Sequence, residues 1–400
     1  MNSVRNRGWT SGVTAAVAAA GLLLFANASP AAAATAALPN TKGLPPAAAK
    51  AEVKGVHWLL AHQNKSGAWL HFVGPAGTAL VVKGLIQAGY SPNFPAIKKA
   101  MKYIESYRQS DGGFYKNALP NYNTDIVLST LALLPHRQYA AQIKKAQKFL
   151  ISMQYKPGMK TVQGKIVTRK SSWYGGVGYG NTRPDLSNTS FFIQALHDSG
   201  MPPTNPALKR ALVFVTRCQM NSETNPMKFA KGVNNGGFIY SAAMGGMSSF
   251  GDRDKLTGGS VLTAYGSMTY AGLKSMIYCG LTKKDPRVQA AIKWIRHHWT
   301  LSSNPGTGGS KMGLYYYYLM FSRAMHALHM PVIRDASGVK HHWRREMDHA
   351  LVARQFKQGY WKNGAQGRGR GRWLEFNPTL VTSYCLLILE ETQHGRKNVW

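Results

Sequence analysis

The amino-acid sequence predicts an all-α protein, an (α/α)6 toroid of six helical hairpins around a central cavity. Three observations lead there. A short unit, a helix end that runs into glycine and an aromatic residue, recurs six times. Each copy is followed by a second helix-like stretch that is more apolar than the first. The copies differ in length mainly between these helices, in loops, where insertions into a repeat usually fall.

Taken in order, the first helices and their loops are WLLAHQNKSGAW (58–69), YIESYRQSDGGFY (103–115), FLISMQ (149–154) leading to WYGGVGYG, FVTRCQ (214–219) leading to NNGGFIY, WIRHHW (294–299) leading to GTGGSKMGLYYYY, and ALVARQFKQGYW (350–361). Five close on a glutamine: Gln63, Gln109, Gln154, Gln219 and Gln355. His298 and Trp299 take that place in the fifth copy. The second helices are TALVVKGLIQAG (78–89), NTDIVLSTLALL (123–134), LSNTSFFIQALHDSG (186–200), SMTYAGLKSMIYCG (267–280), YLMFSRAMHALH (318–329) and NPTLVTSYCLLILEE (377–391). Helices apolar nearly all round belong in an interior. Their partners keep a polar face, as Ile97, Met101 and Ile104 do against Lys98, Lys99 and Lys102. Gly89, Gly200 and Gly280 suit left-handed helix ends. Six wet outer helices and six dry inner ones close most simply into a double ring. An open solenoid would need polar capping units at its ends.

The first 37 residues read as a signal peptide: Arg5 and Arg7, an apolar stretch over 13–26, then small residues suited to cleavage near Ala34 or Ala37. That apolar stretch is short for a bilayer span. The expected division is signal peptide 1–37, linker 38–47, toroid 48–392 and basic tail 393–400. The mature chain is expected to be exported, periplasmic or extracellular, and monomeric.

A hydrophobic content of 44% supplies a core, but 49 Lys and Arg stand against 16 Asp and Glu, a formal +33. The basic residues are spread along the chain. Two readings stand: attraction to an anionic envelope polymer or membrane surface, or adaptation to acidic surroundings, where few carboxylates change charge as pH falls. Specific nucleic-acid recognition has no motif here. Cys218, Cys279 and Cys385 are an odd set without metal-ligand spacing, expected as buried thiols. No cofactor or metal is expected.

A helix ending in Gln, then Gly-x-Trp or Gly-Gly-Phe, resembles the QW repeat of squalene–hopene cyclases and related terpenoid cyclases, a toroid shared with protein prenyltransferase β subunits. The chain is similar in particular to exported single-toroid proteins with prenyltransferase and squalene oxidase repeats. The resemblance implies structural roles for Gln63, Trp69, Gln109, Phe114, Gln154, Gln355 and Trp361, and an apolar or isoprenoid-like ligand in the cavity. The catalytic motifs depart from the family. Cyclases that begin by protonation carry Asp-x-Asp-Asp-Thr, whose middle Asp is the acid. Here Asp185-Leu186-Ser187-Asn188-Thr189 puts a hydroxyl in that place, and alkene protonation needs an acidified carboxyl group. The zinc setting of prenyltransferases and the Gly-Cys-Gly-Glu-Gln motif of thioester toroids are absent.

Asp185 and Asp125 are the candidate acids, near the heads of inner helices. Asn188, one turn from Asp185, and Glu375 are candidate ligand-binding groups. For Asp185 and Asn377 helix capping is the competing reading. Tyr265, Tyr270 and Tyr315 are candidate cavity-lining aromatics, whose faces would stabilise cationic ligands. Arg323 and His326 share a helix face and complete the set. GRGRGRW (367–373) reads as a flexible basic loop at the mouth. A non-catalytic toroid that binds a lipid, peptide or glycan, and a scaffold that presents its basic surface, are the alternatives to an enzyme.

Overall fold

The computed structural model describes residues 38–253, 261–364 and 373–393. The expected signal peptide, nearly all of the basic loop 367–373 and the tail beyond Gln393 lie outside the described residues. Twelve helices are described. The outer ones are α1 (Pro46–Ala61), α3 (Pro95–Glu105), α5 (His136–Met153), α7 (Pro206–Arg217), α9 (Pro286–His297) and α11 (Trp343–Val352). The inner ones are α2 (Pro75–Gln87), α4 (Pro120–Leu131), α6 (Leu186–Asp198), α8 (Gly266–Tyr278), α10 (Leu314–Ala327) and α12 (Pro378–Thr392). The first helix starts inside the expected linker, because Pro46 presets the first helical φ and loses no hydrogen bond there.

Each inner helix packs on the next, α2 on α4, α4 on α6, α6 on α8, α8 on α10 and α10 on α12. The circle closes where α12 packs on α2, and outside it α11 packs on α1. The assembly is therefore a closed ring and not an open solenoid. Three short antiparallel ribbons decorate the loops. They pair β1 (Gln219–Asn221) with β2 (Asn234–Phe238), β3 (Asp252–Arg253) with β4 (Val261–Leu262), and β5 (Ile333–Arg334) with β6 (Lys340–His341). The three cysteines are free and buried.

The repeat glutamines staple neighbouring hairpins. Gln154 Nε2 donates to the carbonyls of Gly175, in its own loop, and Ala207, in the first turn of α7, both at 2.9 Å. Gln63 does the same to Gly67 and Ala96, and Gln219 to Gly236 and Arg287. Gln355 bonds Gly359 and, across the closure, Ala51 of α1. Gln109 stays within its own loop, on Tyr107 and Tyr115. At Gly175 φ is +84°, and a Cβ would fall inside the van der Waals envelope of the Arg210 carbonyl. Only glycine lets the loop lie that close to the next outer helix.

A threonine on each of five inner helices completes the unit. Thr78, Thr124, Thr189, Thr269 and Thr382 accept from the backbone N–H of Trp69, Phe114, Val177, Phe238 and Trp361 at 2.9–3.2 Å. The indoles of Trp69 and Trp361 donate back to Leu59 and Leu351 of their own outer helices. In the fifth hairpin, which lacks the glutamine, Tyr318 stands in the threonine's place. There Tyr317 and Tyr318 hold the loop through their hydroxyls on Thr300 and Leu301.

Candidate functional site

The repeat threonine sets a register for the inner helices, and the lumen can be read in layers from it. Two residues before it stand Tyr122, Ser187, Ser267 and, counted from Tyr318, Tyr316. Two residues after it stand Phe191 and Tyr384, and five after it Lys83, Ser129, Gln194, Lys274 and Arg323. The first set lies toward the N-terminal ends of the inner helices. The last lies toward their C-terminal ends.

At the N-terminal end, Ser187 Oγ and the Tyr316 hydroxyl share a hydrogen bond of 2.8 Å. Tyr122 packs edge-on to Phe191 with centroids 5.7 Å apart, and its hydroxyl bonds that of Tyr384. Tyr179 and Tyr240, from the loops, join through a bond between their hydroxyls, and Tyr240 also bonds the Asp185 carboxyl. Tyr122, Tyr179, Tyr240 and Tyr316 each keep part of their surface open. Yet burial raises all four phenols, Tyr122 to about 12. These part-open side chains with desolvated hydroxyls mark this end of the lumen as the candidate recess.

Asp185 is the N-cap of α6: Oδ1 accepts from Asn188 N and Oδ2 from Asn188 Nδ2, both at 2.8 Å. Burial outweighs these bonds and lifts its carboxyl to about 6. Asp125 is different. It is not at a helix head, since Leu119 is the N-cap of α4, and it sits 1% exposed in the second turn. Its Oδ2 accepts from Asn121 Nδ2 at 2.8 Å, while Oδ1 is buried without a hydrogen-bond partner. Burial raises this carboxyl well above the ordinary range and so favours its protonated form.

The other candidates disperse. Glu375 caps the backbone of α10, accepting from Tyr316 N at 2.8 Å and from Asn363 Nδ2 at 2.5 Å; burial raises it to about 7. Asn377 caps α12. Tyr270 is packed among Tyr317 and Phe321, and Tyr315 lies edge-on to Tyr318, both nearly inaccessible. Tyr265 packs on Phe250 at the head of α8 and donates to Ser249. Arg323 and His326 belong to the opposite end of the lumen.

That end holds a charged network drawn from all six inner helices. Lys83 pairs with Asp198 at 2.8 Å, and Ser129 bonds both. Gln194 Oε1 accepts from Lys274 at 2.7 Å and from Arg323 at 3.0 Å. Arg323 Nε lies 3.8 Å from Glu391, and His326 Nδ1 lies 2.7 Å from it. Burial works to raise Asp198 and Glu391, but Lys83, His197 and Ser129 hold the first, and His326, Arg323 and Lys83 the second, below the usual range. Reasoning from sequence missed this network. The threonine register, read across the repeats, was the signal that could have found it.

With the geometry in view, solved structures offer a comparison. A type II terpene cyclase, MstE from Scytonema, aligns over 86% of this chain and 98% of its own at 12% identity, with a TM-score of 0.50. The chain has the toroid fold of that cyclase. A protein from Actinoplanes aligns over 86% and 99% at 15% identity and a TM-score of 0.49. A possible GH105 glycosidase from Salmonella enterica aligns over 86% and 93% at 11% identity and a TM-score of 0.47. No family model matches the sequence, and no curated protein does. At these identities the likeness is one of fold, and function has to come from the site.

Proposed function

We propose that the recess at the N-terminal ends of the inner helices binds an apolar, isoprenoid-like molecule in an exported toroid. The observation that carries this reading is Asp125. A carboxyl group raised by burial, with a buried, unpartnered oxygen, stands beside Tyr122, one of the partly open tyrosines. Phenol faces and Phe191 supply apolar area and favour polarised or cationic ligand atoms. The Asp125 carboxyl supplies one hydrogen bond, and burial favours its protonated form, the form an acid catalyst needs. The place of the family's acid is filled by Ser187, which is bonded to Tyr316, so a proton donor here would be Asp125 or Asp185 and not the residue at that motif position.

Titration with farnesol, followed by tyrosine fluorescence, tests this. The reading expects a saturable one-site change, weakened about tenfold or more by Tyr316→Ala and by Asp125→Ala, as loss of roughly 1.4 kcal/mol implies. Equal binding by wild type and both variants overturns it.

A second reading draws on the basic surface. Helix α5 carries Arg137, Lys144, Lys145 and Lys148 exposed and no acidic residue. Along it run two grooves of about 430 and 330 Å³, on either side of the loop at Gly112. An anionic envelope polymer suits that face. Release of such a polymer by salt, with the recess variants unaffected, would favour it.

A further inference from the structure

The charged layer at the C-terminal ends of the inner helices has more cations than anions. Lys83 from α2, Lys274 from α8 and Arg323 from α10 face Asp198 from α6 and Glu391 from α12, with Ser129 of α4 between Lys83 and Asp198. Lys83 has its carboxylate. Lys274 has none: its ammonium nitrogen donates to the neutral Gln194 oxygen and otherwise sees the rings of Phe191 and Tyr278, each 5.8 Å away. Arg323 donates to the same oxygen, and its Nε is buried without a hydrogen bond. Apart from Glu391, 3.8 Å from Arg323 Nε, these two basic groups share one amide oxygen, which is thin compensation in a medium of low dielectric. Lys274 is inaccessible, while His197, Tyr278, His326 and Glu391 at the same end of the lumen are partly open.

We propose that this layer binds a small oxyanion, a carboxylate or phosphate group, between the Lys274 ammonium and the Arg323 guanidinium. An anion there supplies the missing negative charge and gives Arg323 Nε an acceptor, and charge-assisted bonds of this kind are the strong ones. Five of six lumen positions in this layer are polar, with only Leu387 apolar. Phe191 touches both Tyr122 of the upper recess and Lys274 of this layer. Where the proposed apolar ligand carries an acidic head, this layer is where the head docks, a point that rests on the function proposed above. The anion site itself does not rest on it.

In the free protein burial first, and then Arg323 and Lys83, push Lys274 well down, while Asp198 and Glu391 oppose them. An arriving anion favours the ammonium and so opposes that downward shift. His197, Tyr278, His326 and Glu391 lie at the same end of the lumen.

The test is calorimetric titration of the full chain with acetate, inorganic phosphate and dodecanoate. The expected result is saturable binding of at least one anion, weakened tenfold or more by Lys274→Met. Similar affinity for the small anions and dodecanoate identifies a free oxyanion as the ligand. Much tighter dodecanoate binding, not reproduced by dodecanol, identifies the headgroup of an apolar molecule. Binding is read first on the wild type, so a variant that fails to fold does not rescue the idea. No saturable binding of any of the three overturns it. Farnesol binding with no anion binding would leave the upper recess standing and this site refuted.

Discussion

Replacing Gln154 by alanine should destabilise the toroid far more than the same change at Gln63. Gln154 is fully buried, and its amide makes three bonds of 2.9 Å, donated to Gly175 and Ala207 and accepted from Arg210 Nε. Truncation removes them and leaves two carbonyls and one guanidinium N–H facing a void. Each net hydrogen bond contributes about 1 kcal/mol, and an unsatisfied buried group costs about 1–3 kcal/mol. The loss is then roughly 3–5 kcal/mol, toward the upper end of single-substitution effects. Gln63 makes the equivalent two donor bonds but is part-exposed, so water takes over the freed groups and the loss is about 1 kcal/mol. Urea unfolding midpoints of the two variants against wild type measure the difference. A Gln154→Ala loss of less than about 1 kcal/mol, or one equal to Gln63→Ala, would refute the staple as the element that joins hairpins.

Other perturbations probe other levels of the structure. Gly175→Ala puts a Cβ against the Arg210 carbonyl at φ +84° and should cost more than about 3 kcal/mol in the same assay, beyond the 1–2 kcal/mol of the left-handed backbone alone. Asp198→Asn strands Lys83 in the lumen and should cost about 3–5 kcal/mol in denaturant unfolding. Raised carboxyls make the protein more stable in acid: Asp185 at about 6 and Glu375 at about 7 bind protons in the folded state that the unfolded chain has released. Their contribution is complete below about pH 4 and is lost as pH rises toward 7; the Asp185 shift alone corresponds to roughly 3 kcal/mol. Thermal unfolding from pH 4 to pH 8 should show the midpoint falling, and Asp185→Asn should flatten that fall.

The ring and its hairpins were legible because they rest on short-range patterns. Gln63, Gln154 and Gln355 mark helix ends, glycine and an aromatic follow, and apolar helices alternate with amphipathic ones. The site was legible only in part. Asp185 and Asn188 share a helix turn, and that turn is visible in sequence. Asp125 looked like a helix-head residue because the αL residue Leu119, which starts α4 earlier, has no sequence signature. Glu375 precedes α12 in sequence but caps α10, a partner that only the ring closure brings near. Lys83, Gln194, Lys274, Arg323 and Glu391 come from five helices spread along most of the chain. Taken singly they look like surface polar residues. Aligned on the repeat threonines, Lys83, Gln194, Lys274 and Arg323 fall in one layer. The threonines themselves hid in plain residue types, and Thr189, which completes the likeness to the cyclase motif, is the repeat's structural threonine.

The most direct test of the central claim is native mass spectrometry of the protein purified from its native host, with lipid extraction of whatever it carries. The account predicts one stoichiometric apolar ligand, absent from Asp125→Ala and Tyr316→Ala proteins that unfold at the wild-type denaturant concentration. A protein that emerges empty, and releases only an anionic polymer when salt is raised, would contradict it.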